Sequence, residues 1–559
     1  MSDLDAFLGP RHTAPQPDPI ARHRLGLVVG GSLSAGLTVR LDPGVTTEDL
    51  AVGRYVIVEG LSGRRFFSLI SDIALDSTNP AIERTPLDTD DAFVADILRS
   101  TITFGRLSVA PMLMIDPESD EPRPVKTIPS HFTAVYEAAE EDVFSVFGAP
   151  DAQHFNIGSP LDMEHVNVNL DLVRFVERSS GVFGKSGTGK SFITRTMLAG
   201  VLKSKLASCL IFDMHNDYGW AVTNEQKREF KGLKQLFQSQ VSVITLDPPT
   251  SRQRGSRTDG ELYIQYDQID PEDIEMLQGV LSLSDVQVGA LYYLRRKLGS
   301  DWVRVLISED PTDQERLDAI IEEGNLIKGT LGAIQRKLEL FRRLDFLRPN
   351  VSDNVVNSIF LKLAAGTTVV LEFGRFGNSL PAYIFVANYL TRRIHQRYVD
   401  AKNRAAGKQG DEPNPLMIVI EEAHKFLDPA IASHTIFGTI ARELRKYNVT
   451  LLIVDQRPSG IDDEVMSQVG TRITCLLDNE ADIRAVFSGV SGASALREVL
   501  ARLDTRQQAL IMGHAVPMPV VVRTRDYGPD LYAEVSADSD DPDTRRQRAR
   551  QAANDLFGE

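Results

Sequence analysis

The sequence predicts an α/β fold, a parallel sheet with helices on both faces and a helical insertion, preceded by a small N-terminal β-barrel. Three observations carry this. Residues 24 to about 150 hold short strand-like runs punctuated by glycine, and from about residue 165 strands alternate with long helical runs. Between the strand-like run Ser180–Phe183 and the helical run Phe192–Lys203 sits Gly184-Lys185-Ser186-Gly187-Thr188-Gly189-Lys190-Ser191, which fits G-x-x-x-x-G-K-[ST]. The chain has 559 residues. Single cores stop growing at roughly 250 to 300, so at least two domains are expected.

Taken in order, a Pro-rich start over residues 1–23 is expected to be mobile. The barrel domain spans 24–160, with strands at Leu25–Val29, Leu37–Leu41, Tyr55–Glu59, Arg65–Ile73, Leu107–Ile115 and Phe132–Tyr136. The α/β domain spans 161–535. It is interrupted at about 270–365 by helical segments without a strand pattern, among them Pro271–Leu283, Thr312–Glu323 and Thr330–Leu344. Lys402–Pro415, rich in Lys, Gly, Asp and Pro, reads as a surface loop after the helix Leu380–Lys402. The tail, 536–559, is acidic, then basic, with little apolar content before Leu556, a composition that stays disordered when alone.

Composition excludes several classes. Apolar content of 42% with 25% charged residues is that of a soluble globular chain, and apolar runs such as Leu416–Ile420 fall far short of the roughly 20 residues of a membrane span. The N-terminus, Met1-Ser2-Asp3-Leu4-Asp5, is acidic where a secretory signal is basic, so a cytoplasmic protein with no membrane partner is expected. Cys209 and Cys475 each lie in a short apolar run and read as reduced core residues. A formal net charge of −16 argues against coating nucleic acid with the whole surface, so any DNA contact is local.

The chemistry begins at the glycine-rich loop. Phosphates need converging backbone N–H groups, which glycines permit, and the following helix N-terminus adds a favourable dipole. Lys190 supplies a charge for the β- and γ-phosphates of ATP, and Ser191 a hydroxyl for Mg2+. The run Leu416–Ile420 ends in Glu421-Glu422-Ala423-His424, a buried strand closing on paired acids. Glu422 is assigned as the base that orients water, and Glu421, where an Asp is commoner, as the group holding Mg2+ through water. Two further strands end in polar clusters, Asp213-Met214-His215-Asn216-Asp217-Tyr218 and Asp455-Gln456-Arg457-Pro458, and Asp213 is placed at the nucleotide. The spacing of His215 and His424 fits no zinc pattern. Arg252-Gln253-Arg254-Gly255-Ser256-Arg257, after the strand Val241–Asp247, offers Arg252, Arg254 and Arg257 for gripping DNA phosphates. No aromatics interleave with them, which favours double-stranded over single-stranded DNA.

Together these motifs resemble the HerA branch of the HerA/FtsK ATPases. The carriers are Gly184–Ser191, Asp213–Tyr218, Glu421–His424, and Ala441-Arg442-Glu443-Leu444-Arg445-Lys446-Tyr447 running into Asp455–Ser459. The resemblance implies a RecA-like core behind a HAS barrel, in a homohexamer whose active sites lie between subunits and which moves along DNA by hydrolysing ATP. It implies Gln456 as the sensor of the γ-phosphate, Arg445 as the finger reaching a neighbour's nucleotide, and Arg178 as an arginine serving the same subunit's nucleotide. Arg442, one turn from Arg445, rivals it as the finger. Glu421 in place of Asp, and Asp217 in place of the Glu often found there, depart from the commonest pattern, though both keep a carboxylate. The family commonly works beside the nuclease NurA in DNA end resection or repair, and some members serve antiphage effectors. The competing expectations are a ring-shaped scaffold for such an effector, and a secretion or conjugation ATPase.

Overall fold

A computed structural model of the chain describes residues 22–79, 102–117, 122–161, 163–223, 227–324, 328–349, 355–408, 410–432, 435–490, 493–505 and 507–536. The start through residue 21 and the tail beyond 536, both expected to be mobile, lie outside the described residues.

The first domain is built from β1 (Arg24–Ser32), β2 (Gly36–Leu41), β3 (Tyr55–Glu59), β4 (Arg65–Ser77), β5 (Thr103–Ile115), β6 (Pro122–Pro124) and β7 (Ala134–Glu137). The order β2-β1-β7-β3-β4-β5 closes through β2–β5 pairing, so six strands form a barrel, with β6 attached to β5. Closure removes the free edges that an open sheet exposes. Alternation decides which side chains fill it: Val39, Val56, Val58, Phe66, Ile70, Leu107 and Val109 point inward. The opposite faces of the same strands carry Tyr55, Ile57, Phe67, Leu69, Leu113 and Ile115, which join the core of the second domain. The barrel is thereby packed onto that domain through apolar contact.

From the barrel the chain runs through α1 (Glu140–Phe147) into β8 (His154–Pro160) and β9 (Val168–Asp171), then α2 (Leu172–Glu177), β10 (Ser180–Phe183), α3 (Lys190–Ser204) and β11 (Ser208–Asp213). A hairpin of β12 (Val222–Thr223) and β13 (Glu229–Phe230) precedes β14 (Val241–Thr245), α4 (Pro248–Gln253), β15 (Gly260–Glu261) and β16 (Ile264–Gln265). The insertion returns through β17 (Leu347–Arg348) and the helix Val355–Ala364, and beyond it come β18 (Thr368–Glu372), α5 (Leu380–Ala406), β19 (Leu416–Glu421), α6 (Ile436–Glu443), β20 (Val449–Asp455), α7 (Asp463–Gln468), β21 (Thr471–Thr474), β22 (Gln508–Gly513) and β23 (Val520–Thr524).

These strands form a 12-stranded sheet, β15-β14-β18-β11-β19-β20-β10-β21-β22-β23-β8-β9. From β15 to β21 every pairing is parallel, and beyond β21 the strands alternate in direction. The central strands β10, β11, β14, β18, β19 and β20 are buried throughout, because helices cover both faces. The RecA-like core, the helical insertion and the barrel are therefore all present in the expected order. Three boundaries differ. β8 precedes residue 160 yet belongs to the large sheet, because it pairs with β23 from the far end of the chain. The insertion also contains one short strand, β17, which runs parallel to β16 just ahead of the insertion, a contact too short for periodicity to register. Finally, α5 continues to Ala406 before Gly407, so the surface loop starts later than Lys402.

Trp302 anchors the insertion. Its ring is fully buried and its Nε1–H donates to the Ile269 carbonyl at 2.8 Å, on the segment that leads out of β16. Replacing a buried Trp leaves a cavity and an unpaired carbonyl, at a cost of about 3–5 kcal/mol. Trp302→Ala is expected to lower the melting temperature by several degrees, measured by calorimetry, and to open the 264–348 region to proteolysis before the barrel.

Candidate active site

β10, β20, β19 and β11 lie side by side and parallel, so the residues that follow them meet at one edge. The register pairs Phe183 with Asp455, Glu421 with Val454, and Phe212 with Ile420. The carboxyl edge of an open α/β sheet is where ligands bind.

The glycine-rich loop leaves β10 pinned at its base. Gly184 N–H donates to the Asp455 carbonyl at 3.2 Å and Lys185 N–H to that of Leu476 at 3.1 Å, while the Thr188 hydroxyl closes the turn onto the Lys185 carbonyl at 2.7 Å. Gly187 and Gly189 take φ of 81° and 95°, a region that side chains resist, and a Cβ at Gly184 would lie 2.8 Å from that of Cys475. α3 begins at Lys190 and Ser191, so its amino end faces the loop. Desolvation lowers the Lys190 pKa, against the opposing fields of Glu422, Asp455 and Glu421. Lys185 pairs with Asp478, and Ser186 is exposed.

Glu422 steps off β19 with φ of 50°, a left-handed conformation unfavourable by roughly 1 kcal/mol or more, and this turns its side chain away from the line of the strand. Gln456 Nε2 donates to Glu422 Oε1 at 2.8 Å, so the two residues expected to sense and to activate touch directly. His424 braces the turn. Its backbone N–H donates to Asp455 Oδ2 at 2.7 Å, and its Nδ1 lies 3.0 Å from the same oxygen. That contact raises the His424 pKa. Burial pushes the Asp455 carboxyl up, but His424 and the Arg457 N–H outweigh it and hold the group below its ordinary value.

Glu421 is buried. Tyr218 donates its hydroxyl to Glu421 Oε1 at 2.9 Å, and Tyr383 donates to the Glu421 carbonyl at 3.1 Å. Burial first, then the like charge of Asp213, pushes its pKa up to about 8. Its Oε2 has no partner among the described residues. An orphaned carboxylate oxygen and the Ser191 hydroxyl are the oxygen donors a hard cation takes, so this edge fits Mg2+, which when bound supplies charge neutralisation for phosphates.

Asp213 behaves differently from expectation. Its carboxylate turns inward to accept the N–H groups of Asp217 at 2.7 Å, Tyr218 at 2.8 Å and Gly219 at 3.4 Å, shaping the loop that carries Tyr218. Burial raises its pKa to about 6. Arg195, buried on α3, donates to the Asp217 carbonyl and lies near the rings of Phe192, Tyr218 and Tyr527. Tyr218, Arg195 and the His424–Asp455 brace escape sequence reasoning. Tertiary contact reveals them, since Arg195 stands on a helix and Tyr218 in a loop.

The arginines divide. Arg178 lies at the entry of β10, the end opposite the glycine-rich loop, and four strand residues at about 3.3 Å each separate them, so the structure does not bring it to its own Lys190. Arg442 donates from Nε to Glu464 Oε2 at 3.1 Å, on α7 of the same chain. Arg445 lies on the 3-10 turn Leu444–Tyr447 between α6 and β20, and its side chain lies outside the described residues. Arg252 is on α4 rather than a loop, with Arg254 and Arg257 beyond it, and all three are exposed.

Residues 155–394 match the family described as Helicase HerA, central domain. The DNA double-strand break repair helicase HerA of Saccharolobus solfataricus is 27% identical over 395 residues, covering 70% of this chain and 72% of that protein. Its counterpart in Sulfolobus acidocaldarius is 24% identical over 509 residues, covering 89% and 92%. Among solved structures, VirB4 of Thermoanaerobacter pseudethanolicus aligns with a TM-score of 0.43 at 14% identity, over 69% of this chain and 99% of that one.

One further buried acid lies beside the site. Glu372 pairs in register with Asp213, is 3% exposed, and accepts from the Ser251 hydroxyl at 3.3 Å. Burial, then Asp213, raises its pKa from 4.5 to about 7. The folded state therefore holds this proton more tightly than the unfolded state, so the associated stability is complete below pH 4.5 and lost as pH rises through 7. Glu372→Gln removes that loss, worth on the order of 3 kcal/mol by pH 8. Its melting temperature should exceed the wild type's at pH 8 and match it near pH 4.5 in parallel thermal scans.

Proposed function

We propose that this chain, which belongs to the HerA-type P-loop ATPases and hydrolyses ATP, works as a homohexameric translocase and helicase on double-stranded DNA in DNA repair. The observation that carries the reading is the hydrogen bond from Gln456 Nε2 to Glu422 Oε1 at 2.8 Å, at the same edge as Lys190. A γ-phosphate oxygen accepting from the same amide competes with Glu422 for it. Nucleotide state would thus reach the water-orienting group through one bond, as an engine with a hydrolysis cycle requires. Lys190 and the loop amides bind the phosphates, Ser191 and Glu421 hold Mg2+, the latter through water, and Glu422 orients the attacking water.

The relatives that bear the name DNA double-strand break repair helicase support DNA as the track. In the ring, Arg445 reaches the neighbour's nucleotide. Arg442 is engaged by Glu464 within its own chain, which favours Arg445 for that role. Arg252, Arg254 and Arg257 face DNA. A NurA-like nuclease docks on the barrel face and degrades ends while ATP turns over. We place the assembly in the cytoplasm, and no helix among the described residues is long and apolar enough to cross a membrane.

Lys190→Ala is expected to abolish nucleotide binding, whereas Glu422→Gln retains binding and loses turnover by at least about a hundredfold. Equal rates for wild type and Glu422→Gln would remove the base assignment. Rings mixed from Arg445→Ala and Lys190→Ala subunits should recover part of the hydrolysis, since some interfaces then join an intact arginine to an intact glycine-rich loop. Duplex DNA should accelerate hydrolysis by the wild-type ring, with particle mass measured on the same sample. A rate unchanged by saturating duplex at low salt would replace the translocase with the scaffold reading.

A further inference from the structure

Along the carboxyl edge, past the strand-end acids, lies a cavity of about 360 Å³ where the chain leaves β14. Among the residues lining it are Asp247, Arg252, Tyr263, Asp345, Arg348 and Arg375. β14 is five strands from β10 in the sheet order, which at about 4.8 Å per strand sets the cavity roughly 24 Å from the glycine-rich loop. A nucleotide on Lys190 does not reach it.

Arg348 distinguishes this cavity. Its guanidinium lies 3.6 Å from the centroid of the Tyr263 ring, it is exposed, and among the described residues it has no carboxylate partner. Stacking fixes the plane of the guanidinium while using none of its five N–H donors, the arrangement that suits bidentate binding of a phosphate. The other two arginines are restrained by acids. Arg375 pairs with Asp345, and its backbone N–H donates to Asp247 Oδ2 at 3.0 Å. Arg252 lies 3.4 Å from Glu261 Oε1, and Tyr263 donates its hydroxyl to the other oxygen of Glu261 at 2.7 Å. The lining carries three arginines and two aspartates, and Glu261 stands beside it against Arg252, so Arg348 is the arginine of the three left without an acid among the described residues.

The fold assembles this group on purpose-built geometry. Arg348 arrives at the end of the insertion, where β17 pairs with β16, Gln265 opposite Arg348, and this puts it beside Tyr263. Arg375 follows β18, and Arg252 follows β14. The insertion's return strand thus delivers a cation to the sheet edge.

We propose that this cavity grips a backbone phosphodiester of duplex DNA, with Arg348 as the phosphate-binding residue and Arg252 and Arg375 beside it. This rests on the DNA reading above and locates the contact. Two features select a diester in a polymer over a free nucleotide. Arg348 covers the Tyr263 face on which a base would stack, and Arg254 and Arg257, exposed and within five residues of Arg252, supply further charge for neighbouring phosphates of a polymer.

The test compares full-length wild type, Arg348→Gln and Arg348→Lys for duplex binding between about 50 and 200 mM salt. Melting temperature and particle mass are measured on each sample. The slope of log affinity against log salt should become shallower by about 0.9 in Arg348→Gln and stay at the wild-type value in Arg348→Lys, which keeps the charge and loses the fork. A merely structural stacking role would be lost in both variants alike and leave the two slopes equal. Binding by the wild type with an unchanged slope in Arg348→Gln overturns the site and not the DNA reading, whereas absent duplex binding by the wild type overturns both. Inorganic phosphate, titrated by calorimetry, supplies the other arm. Arg348-dependent phosphate binding without a change in the DNA slope assigns the cavity to a free phosphate and overturns the diester.

Discussion

Carboxylates buried at the edge of a dry sheet are costly unless each is met by donors, and that constraint organises the site. Four strands end in such acids: Asp213, Glu372, Glu421 and Asp455, all buried. Each is answered differently. Asp213 takes three backbone N–H groups, Asp455 takes His424 and the Arg457 amide, and Glu372 takes the Ser251 hydroxyl and a raised pKa. Glu421 receives the Tyr218 hydroxyl on one oxygen and keeps the other open. The acid with an unanswered oxygen is the one suited to a metal, and its neighbours are quenched by their own loops.

The same economy of donors joins Gln456 to Glu422. Glu422 is not part of the buried row, because a left-handed backbone lifts it out of β19, and the polar group that meets it there is Gln456 from the adjacent strand. One hydrogen bond links residues that come from separate strands. The strain is tolerated because His424 is held by Asp455 immediately beyond the turn.

The two additions to the core attach to it differently. The barrel packs against the core through the outward faces of strands whose inward faces fill its own interior, which makes it a rigid attachment. The insertion covers the sheet with helices anchored at Trp302 and returns through β17 beside β16. Its return sets a stacked arginine at the same carboxyl edge that carries the nucleotide chemistry, so one sheet positions both.

The sequence by itself determined the order of domains, the glycine-rich loop and the paired acids, because each depends on local pattern: glycine conformation, a buried run ending in acids, alternation of strand and helix. Tertiary structure decided what no local pattern encodes. Asp213 looks equivalent to the other strand-end acids in the sequence, yet it folds back on its own loop. Arg178 stands twelve residues before Lys190 and ends at the far side of the sheet, because the whole of β10 lies between them. Tyr218 meets Glu421 across 203 positions, and β8 joins a sheet completed by β23 some 360 residues later. Arg348 reads as one more surface charge until the pairing of two-residue strands brings Tyr263 under it. Register across a sheet is a long-range property, set by which faces are buried together, and side chains that meet through it are invisible to spacing along the chain.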